Sequence, residues 1–463
     1  MSKKESSSGK KALFYSFGQI SDITAYQSFI LLAFTFYFAI VGIDTWLIVL
    51  GFILWSVWNA FNDPIMGYLS DRTHTKWGRR MPYIIGAFVP LAIVMPLIYT
   101  PPISYGINGQ IANFSYFLII IVLFELVYTI FSLNLTSLFP EVFMTEKERT
   151  QANNIRQVFT IIGLIFAFIL PGLIISSYTD PNSLPQFQLF GIIGGIIVVV
   201  CSLIFLIFGP KERTEFQQDY KNAFSLFKTI KNCFKSKSFR WYIIAETCVW
   251  FVYGMLPTIV PLYAQNVLGM EAGILTSVLL ATTFLSATLF ITFLWKPLVR
   301  KIGNRKAWLI SFAIWILALS GTLFISEFIG GLIVFFLIGI GLSGSLFIID
   351  LVVADIVDED ETVTGMRREA GYYGVNAFVL RFSNVLVILA IGIVFSGTEW
   401  SGGYVPNPGI NVTIGLKILM FVLPAIALVI AGLAIYKYPL HGERLLKVKE
   451  ERQIIHDQKK SRT

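Results

Sequence analysis

Apolar residues run through this chain in long, nearly unbroken stretches rather than at the three-to-four spacing of a helix with one wet face. A hydrocarbon layer of about 30 Å takes roughly 20 residues of helix. Twelve stretches of about that length occur, at 13–40, 45–70, 82–100, 114–140, 154–176, 186–208, 241–265, 271–296, 307–325, 328–355, 371–396 and 414–438. Each is expected to be a transmembrane helix. The polar start leads into an apolar run longer than the core of a signal peptide and without a small-residue cleavage site, so that run is read as helix one.

Composition points the same way. With 55% hydrophobic and only 14% charged residues over 463 positions, the chain has too few charges to cover a soluble surface of that size. The three cysteines, Cys201, Cys233 and Cys248, are too scattered for a disulfide framework or a CxxC metal site.

Lysine and arginine sort between alternate loops, which tests the count independently. One set of loops carries Arg72, Lys76, Arg79 and Arg80; Lys147 and Arg149; eight basic residues from Lys211 to Arg240; Arg300, Lys301, Arg305 and Lys306; and Arg367 and Arg368. The opposite loops, near Asp44, Pro102, Asp180, Glu271, Glu327 and Glu399, carry none. Basic loops face the cytoplasm, and both termini fall on that side. The formal net charge of +8 therefore reads as topology and attraction to anionic membrane lipid, not as nucleic-acid binding.

The long basic connection divides the spans six and six. The expected organisation is a cytoplasmic N-terminus at 1–12, a six-helix bundle at 13–208, a linker at 209–240, a second bundle at 241–438 and a cytoplasmic tail at 439–463. Similar loops recur after helices two and eight, at Trp77–Arg80 and Ile302–Lys306, and after helices four and ten. Matching halves of this kind are what parallel repeats in a transporter produce, with the binding site near the bilayer midplane.

An ionisable side chain at mid-bilayer costs about 2.5–3.5 kcal/mol on insertion scales, so each is a functional candidate. At about 1.5 Å per residue, Asp22 lies ~14 Å into helix one, Asp63 ~12 Å from Asp71, Glu125 near the middle of helix four and Arg381 ~15 Å into helix eleven. Glu246 and Asp350 sit nearer the cytoplasmic ends, where gating or capping is the expected role. Asn59 and Asp63 share one face of helix two by their i, i+4 spacing, and hard oxygen ligands there suit Na⁺ or, at a lone carboxylate, a proton. Trp58 and Tyr128 are candidates for stacking on a sugar ring. The competing reading is a set of static ion pairs and amide bonds holding helices together.

Three segments carry a resemblance: Asn62–Arg80 (NDPIMGYLSDRTHTKWGRR), Pro140–Arg156 (PEVFMTEKERTQANNIR) and Ala354–Arg381 (ADIVDEDETVTGMRREAGYYGVNAFVLR). With Gly67, Asp71, Arg72, Gly78, Arg79 and Arg80 in a G-x-x-x-D-R…G-R-R pattern, the chain resembles the glycoside-pentoside-hexuronide:cation symporters, the melibiose permease branch of the major facilitator superfamily. The resemblance implies an all-α membrane protein of the major facilitator fold, with twelve transmembrane helices in two pseudo-symmetric six-helix bundles. It implies a multi-pass protein of the cell membrane, a monomer, that moves a sugar or glycoside by alternating access with Na⁺ or H⁺ as coupling ion and no other cofactor or metal.

The same resemblance puts a cation site on Asn59, Asn62, Asp63 and Thr129, and a substrate site on Arg156 and Ser132, to which Asp22, Glu125, Arg381, Trp58 and Tyr128 are added as candidates. Cytoplasmic Asp71, Arg72, Arg79, Arg80, Asp355, Asp358, Arg367 and Arg368 are expected to form gating salt bridges. The chain departs from the family at Asn59, often Asp, and at Ser132, where melibiose permease has an acid. The first departure shifts the expectation toward proton coupling or weak coupling, and the second keeps a lysolipid or other amphiphile open as cargo. A sensor that binds without translocating is a further alternative. No HExxH, GxSxG or phosphate loop points to an enzyme.

Overall fold

The computed structural model describes residues 3–73, 75–102, 106–143, 146–211, 233–270, 273–364, 369–398, 400, 402–403 and 409–460. In chain order the helices are α1 (Lys3–Thr35, running on through a wide turn at Phe36–Ile40), α2 (Thr45–Arg72), α3 (Met81–Leu97), α4 (Gly106–Val142), α5 (Glu146–Phe168) and α6 (Leu184–Phe208). They continue with α7 (Lys237–Asn266), α8 (Gly273–Ile302, widened at Ile291–Trp295), α9 (Asn304–Ser320), α10 (Phe328–Thr364), α11 (Glu369–Ser396), α12 (Ile410–Tyr436, widened at Ile418–Val422) and α13 (Glu443–Lys460).

Among the described residues, ten helices are long and apolar enough to cross a membrane; the shorter apolar stretches Met81–Leu97 and Arg381–Ser396, the latter within α11, complete the twelve. No strand occurs among the described residues. Several helices outrun the apolar stretches that announce them: α4 starts at Gly106 and α10 continues to Thr364. The backbone bonds of a helix carry on into water wherever no proline or glycine stops them, so apolar length marks the membrane segment and not the helix end.

Helix α2 explains how such a chain folds in lipid. Leu50, Leu54, Val57, Phe61 and Ile65 recur at three- and four-residue steps and are all exposed, between 41% and 63%. On its other face Phe52, Trp55, Asn59 and Asn62 are buried. The outer face is apolar and the inner face carries the amides, the reverse of a helix in water, because the solvent here is hydrocarbon.

The chain forms two compact units. The first comprises residues 1–223 with 270–278 and 398–408, and the second 224–269, 279–397 and 409–463. In the first, α1 packs on α5 and α6, α3 on α4 and α6, and α2 on α4. Small and hydroxyl residues set these approaches, since lipid offers no hydrophobic drive for helices to associate. Tyr15 donates to the Leu135 carbonyl at 2.7 Å, Ser21 to the Val198 carbonyl at 3.1 Å, and a Cβ at Gly195 would stand 2.5 Å from the Ala92 carbonyl oxygen.

In the second unit, α7 packs on α10, α11 and α12, and α9 on α10 and α12. Trp295 Nε1 donates to the Ile340 carbonyl and to Ser343, each at 2.9 Å, and Ser311 donates to the Gly341 carbonyl at 2.8 Å. The tail, read from sequence only as a cytoplasmic extension, is the helix α13 laid along the end of α10. Gly442 turns the chain into it with φ of 57°, a conformation that suits glycine.

Candidate functional site

Two polar groups lie inside the first unit, and both are built on α4. The first joins α4 to α2. Asn59 and Asn62 are buried and Asp63 is half-buried on α2, while Glu125 and Thr129, one turn apart on α4, are buried. Thr129 Oγ1 donates to Asp63 Oδ1 at 3.0 Å and stands 3.4 Å from Glu125 Oε1. One hydroxyl hydrogen serves one acceptor, so the shorter contact is the bond, and Thr129 stands between the two carboxylates. Trp55 Nε1 donates to Glu125 Oε2 at 3.1 Å, and Asn62 Nδ2 donates to the backbone carbonyl of Glu125 at 3.2 Å. Pro64 lies inside α2 and has no N–H, so the Ala60 carbonyl four residues back loses its helical donor beside Asn59 and Asp63.

The second group joins α4 to α1 and α5. Asp22 is 7% exposed. Its Oδ2 accepts from Gln19 Nε2 at 3.1 Å, and its Oδ1 has no hydrogen-bond partner. Ser132, Tyr128 and Arg156 all bear on this carboxylate. Ser132 donates to the Tyr128 hydroxyl at 3.3 Å. Tyr128 stacks on Tyr26, with centroids 4.8 Å apart and planes at 20°, and the Arg156 guanidinium lies 4.7 Å over the Phe139 ring. Trp58 is half-buried with its Nε1 unbonded. An acceptor oxygen, hydroxyls, a guanidinium and aromatic faces make a surface suited to a polar, uncharged ring.

The candidates thus sort by helix face. Glu125, read with the substrate residues, lies with Asp63 and Thr129, while Ser132, Tyr128, Asp22 and Arg156 form their own group. Trp55 and Gln19 belong to these groups and were not singled out from sequence. Arg381 is half-buried on α11 of the second unit.

At the cytoplasmic ends, Arg79 pairs with Glu141 at 2.6 Å, and Arg80 approaches Glu141 at 3.5 Å while donating to Ser70 at 2.8 Å. Arg72 lies 4.0 Å over the Tyr68 ring. In the second unit, Asp355 pairs with Lys449 at 3.5 Å and accepts from Asn304 at 2.7 Å, and Asp358 pairs with Arg452 at 2.6 Å. Glu359 pairs with Arg444 at 2.6 Å. The acids of the expected gate therefore meet the tail helix. The Asp71 side chain, Arg367 and Arg368 lie outside the described residues.

The fold matches solved structures of membrane transporters. Nucleoside transporter NupG superposes with a TM-score of 0.67 at 15% identity, over 92% of this chain and 99% of that one. A D-xylose-proton symporter superposes at 0.62 and 12% identity, over 93% and 96%. These likenesses give the fold, that of the major facilitator transporters.

The family described as MFS/sugar transport protein matches residues 15–442, and the chain belongs to it. Among its relatives, the isoprimeverose transporter of Lactiplantibacillus pentosus is 25% identical, covering 80% of this chain and 76% of that protein. The sodium-dependent lysophosphatidylcholine symporter 1-A of Danio rerio is 23% identical, covering 84% and 77%.

Proposed function

We propose that the protein is a cation-coupled symporter of a sugar or glycoside, working by alternating access between its six-helix halves, 13–208 and 241–438. The observation that carries this reading is that one helix, α4, holds both polar groups: Glu125 and Thr129 on the α2 side, Tyr128 and Ser132 on the α1 side. A cation that fixes α4 against α2 also fixes the hydroxyls that meet the solute, and reciprocal coupling follows by linkage.

In this reading the cation site is Asn59, Asn62, Asp63 and Thr129, with Glu125 supplying the second carboxylate that Asn59 does not. That charge count favours Na⁺ at this site over the proton expected from Asn59 alone. Asp22, Tyr128, Ser132 and Arg156 bind the solute, and Trp58 of the same half and Arg381 of the second half are further candidates. Asp355, Asp358, Arg79 and Arg80 belong to ion pairs that hold the inner side and exchange partners during transport. The working unit is a monomer.

A second reading keeps the mechanism and changes the cargo. The Danio rerio relative is named for lysophosphatidylcholine, and Ser132 in place of an acid leaves fewer charged bonds for sugar hydroxyls. Counterflow in proteoliposomes with labelled xylose, melibiose and lysophosphatidylcholine, each with and without Na⁺, separates the two. Sugar exchange stimulated by Na⁺ is the expected result; exchange of the lysolipid alone selects the second reading, and no Na⁺ effect on any of them refutes the cation site.

A further inference from the structure

The second unit holds a carboxyl that the cation cluster does not use. Glu246 sits on α7, ~14 Å along from its first residue, and is 0% exposed. Trp250 Nε1 donates to its Oε1 at 3.3 Å. Tyr242, one turn earlier, and Asn376 of α11 both bear on the same carboxyl. Three oxygens there are buried and make no hydrogen bond: Glu246 Oε2, the Tyr242 hydroxyl and Asn376 Oδ1.

Burial gives these orphans a meaning. Glu246 is 0% exposed, its Oε2 has no partner, and no lysine or arginine among the described residues bears on it. An ionised carboxylate there would be a buried charge without a counter-ion, which a side chain avoids by taking up a proton. Tyr242 and Asn376 beside it are neutral groups that can hydrogen-bond the acid without supplying a charge.

Among the described residues, no charged group on the packed helices bears on Glu246 as a cation. Asp350 of α10 is itself acidic. Arg381 of α11 lies five residues past Asn376, ~140° round the helix. Lys417 of α12 is bound to the Leu323 carbonyl at 2.9 Å, and residues 423–436 of α12 carry no charge.

We infer that Glu246, Tyr242 and Asn376 form a proton-binding site in the second unit, separate from the cation cluster on α2 and α4. Glu246 is carried there as the neutral acid. When the site meets water, the Glu246 O–H bond breaks, a water molecule takes the proton, and reloading draws one from water on the other side of the membrane. The protonation follows from the geometry alone; its use in transport rests on the symport reading given above.

Infrared spectra of the full-length protein in lipid vesicles at neutral pH, wild type against Glu246→Gln, test the site directly. The expected result is loss of a protonated-carboxyl C=O band in the variant, with an unchanged unfolding temperature because the amide mimics the neutral acid. Identical carboxyl bands in the two proteins overturn the site. In proteoliposomes, accumulation of labelled xylose or melibiose driven by a proton gradient should fall in Glu246→Gln to the level without a gradient, while counterflow persists. Proton-driven accumulation at wild-type level overturns the coupling role even if the band is lost. If the wild type moves none of these solutes, the symport reading fails and the infrared band still decides the site.

Discussion

Replacing Glu125 by Gln isolates the charge that this carboxylate adds to the cluster on α2 and α4. The side chain keeps its volume and an oxygen that can accept from Trp55 Nε1, now at 3.1 Å. Thr129 Oγ1 lies 3.0 Å from Asp63 and 3.4 Å from Glu125, so the two carboxylates stand within ~7 Å and repel by about 2 kcal/mol at an effective dielectric of ~20. A cation seated between them, ~4 Å from each charge, gains about 4 kcal/mol from Glu125 at the same dielectric. Relaxation and residual water cut this to about 2–4 kcal/mol, so Na⁺ binding should weaken about 30- to 700-fold. A Na⁺ titration of purified protein by tryptophan fluorescence measures this, with Trp55 itself bonded to the site and Asp63→Asn as the comparison. An affinity within about threefold of wild type, under ~0.7 kcal/mol, would remove Glu125 from the cation site.

Asp22→Asn replaces an acceptor whose Oδ1 is free for a solute hydroxyl; equilibrium binding should weaken about 10- to 150-fold for a bond to a charged group, with Na⁺ affinity unchanged. Tyr128→Phe keeps the stack on Tyr26 and loses one hydroxyl, for about a fivefold loss of solute affinity in the same assay. Gly195→Val drives a side chain against the Ala92 carbonyl and should destabilise the first unit by about 1–3 kcal/mol, seen as a lower unfolding temperature in detergent. Gly67→Ala meets nothing within 4 Å and serves as the control. Arg444→Ala with Arg452→Ala removes two of the three ion pairs seen between α13 and α10 among the described residues, and hydrogen–deuterium exchange over 443–455 should rise.

The spans were legible because the bilayer imposes one rule on all of them, about 20 apolar residues with polar interruptions. The inner face of α2 was legible too, since Asn59 and Asp63 repeat at i, i+4 within a polar run. The grouping of Glu125 was not. Its spacing to Thr129 places both on one face of α4, but what lies opposite depends on the register of α2 against α4, which brings Trp55 and Asn62 to it. The tail shows the same limit. Arg444 and Arg452 share a helix face with the buried Val448, yet their partners Asp358 and Glu359 lie some 90 residues earlier, and only the turn at Gly442 brings them together.

Placing both polar groups on α4 makes a demand on mechanism. Tyr128 and Thr129 are neighbours in sequence and sit ~100° apart around the helix, so they face different helices: Thr129 meets α2 through Asp63, Tyr128 meets α1 through Tyr26 and Asp22. A cation between α2 and α4 therefore acts on the solute by fixing the rotation of α4, with no direct contact required. Coupling of this kind is lost when α4 is uncoupled from α2 even if every solute-binding side chain remains. Asn62→Leu removes the bond from α2 to the Glu125 backbone together with one side chain of the cation site, and touches no solute-binding residue. It should leave counterflow without Na⁺ near the wild-type rate while reducing its stimulation by Na⁺. A uniform loss of counterflow with and without Na⁺ would instead mean that α4 serves the solute site only as a scaffold.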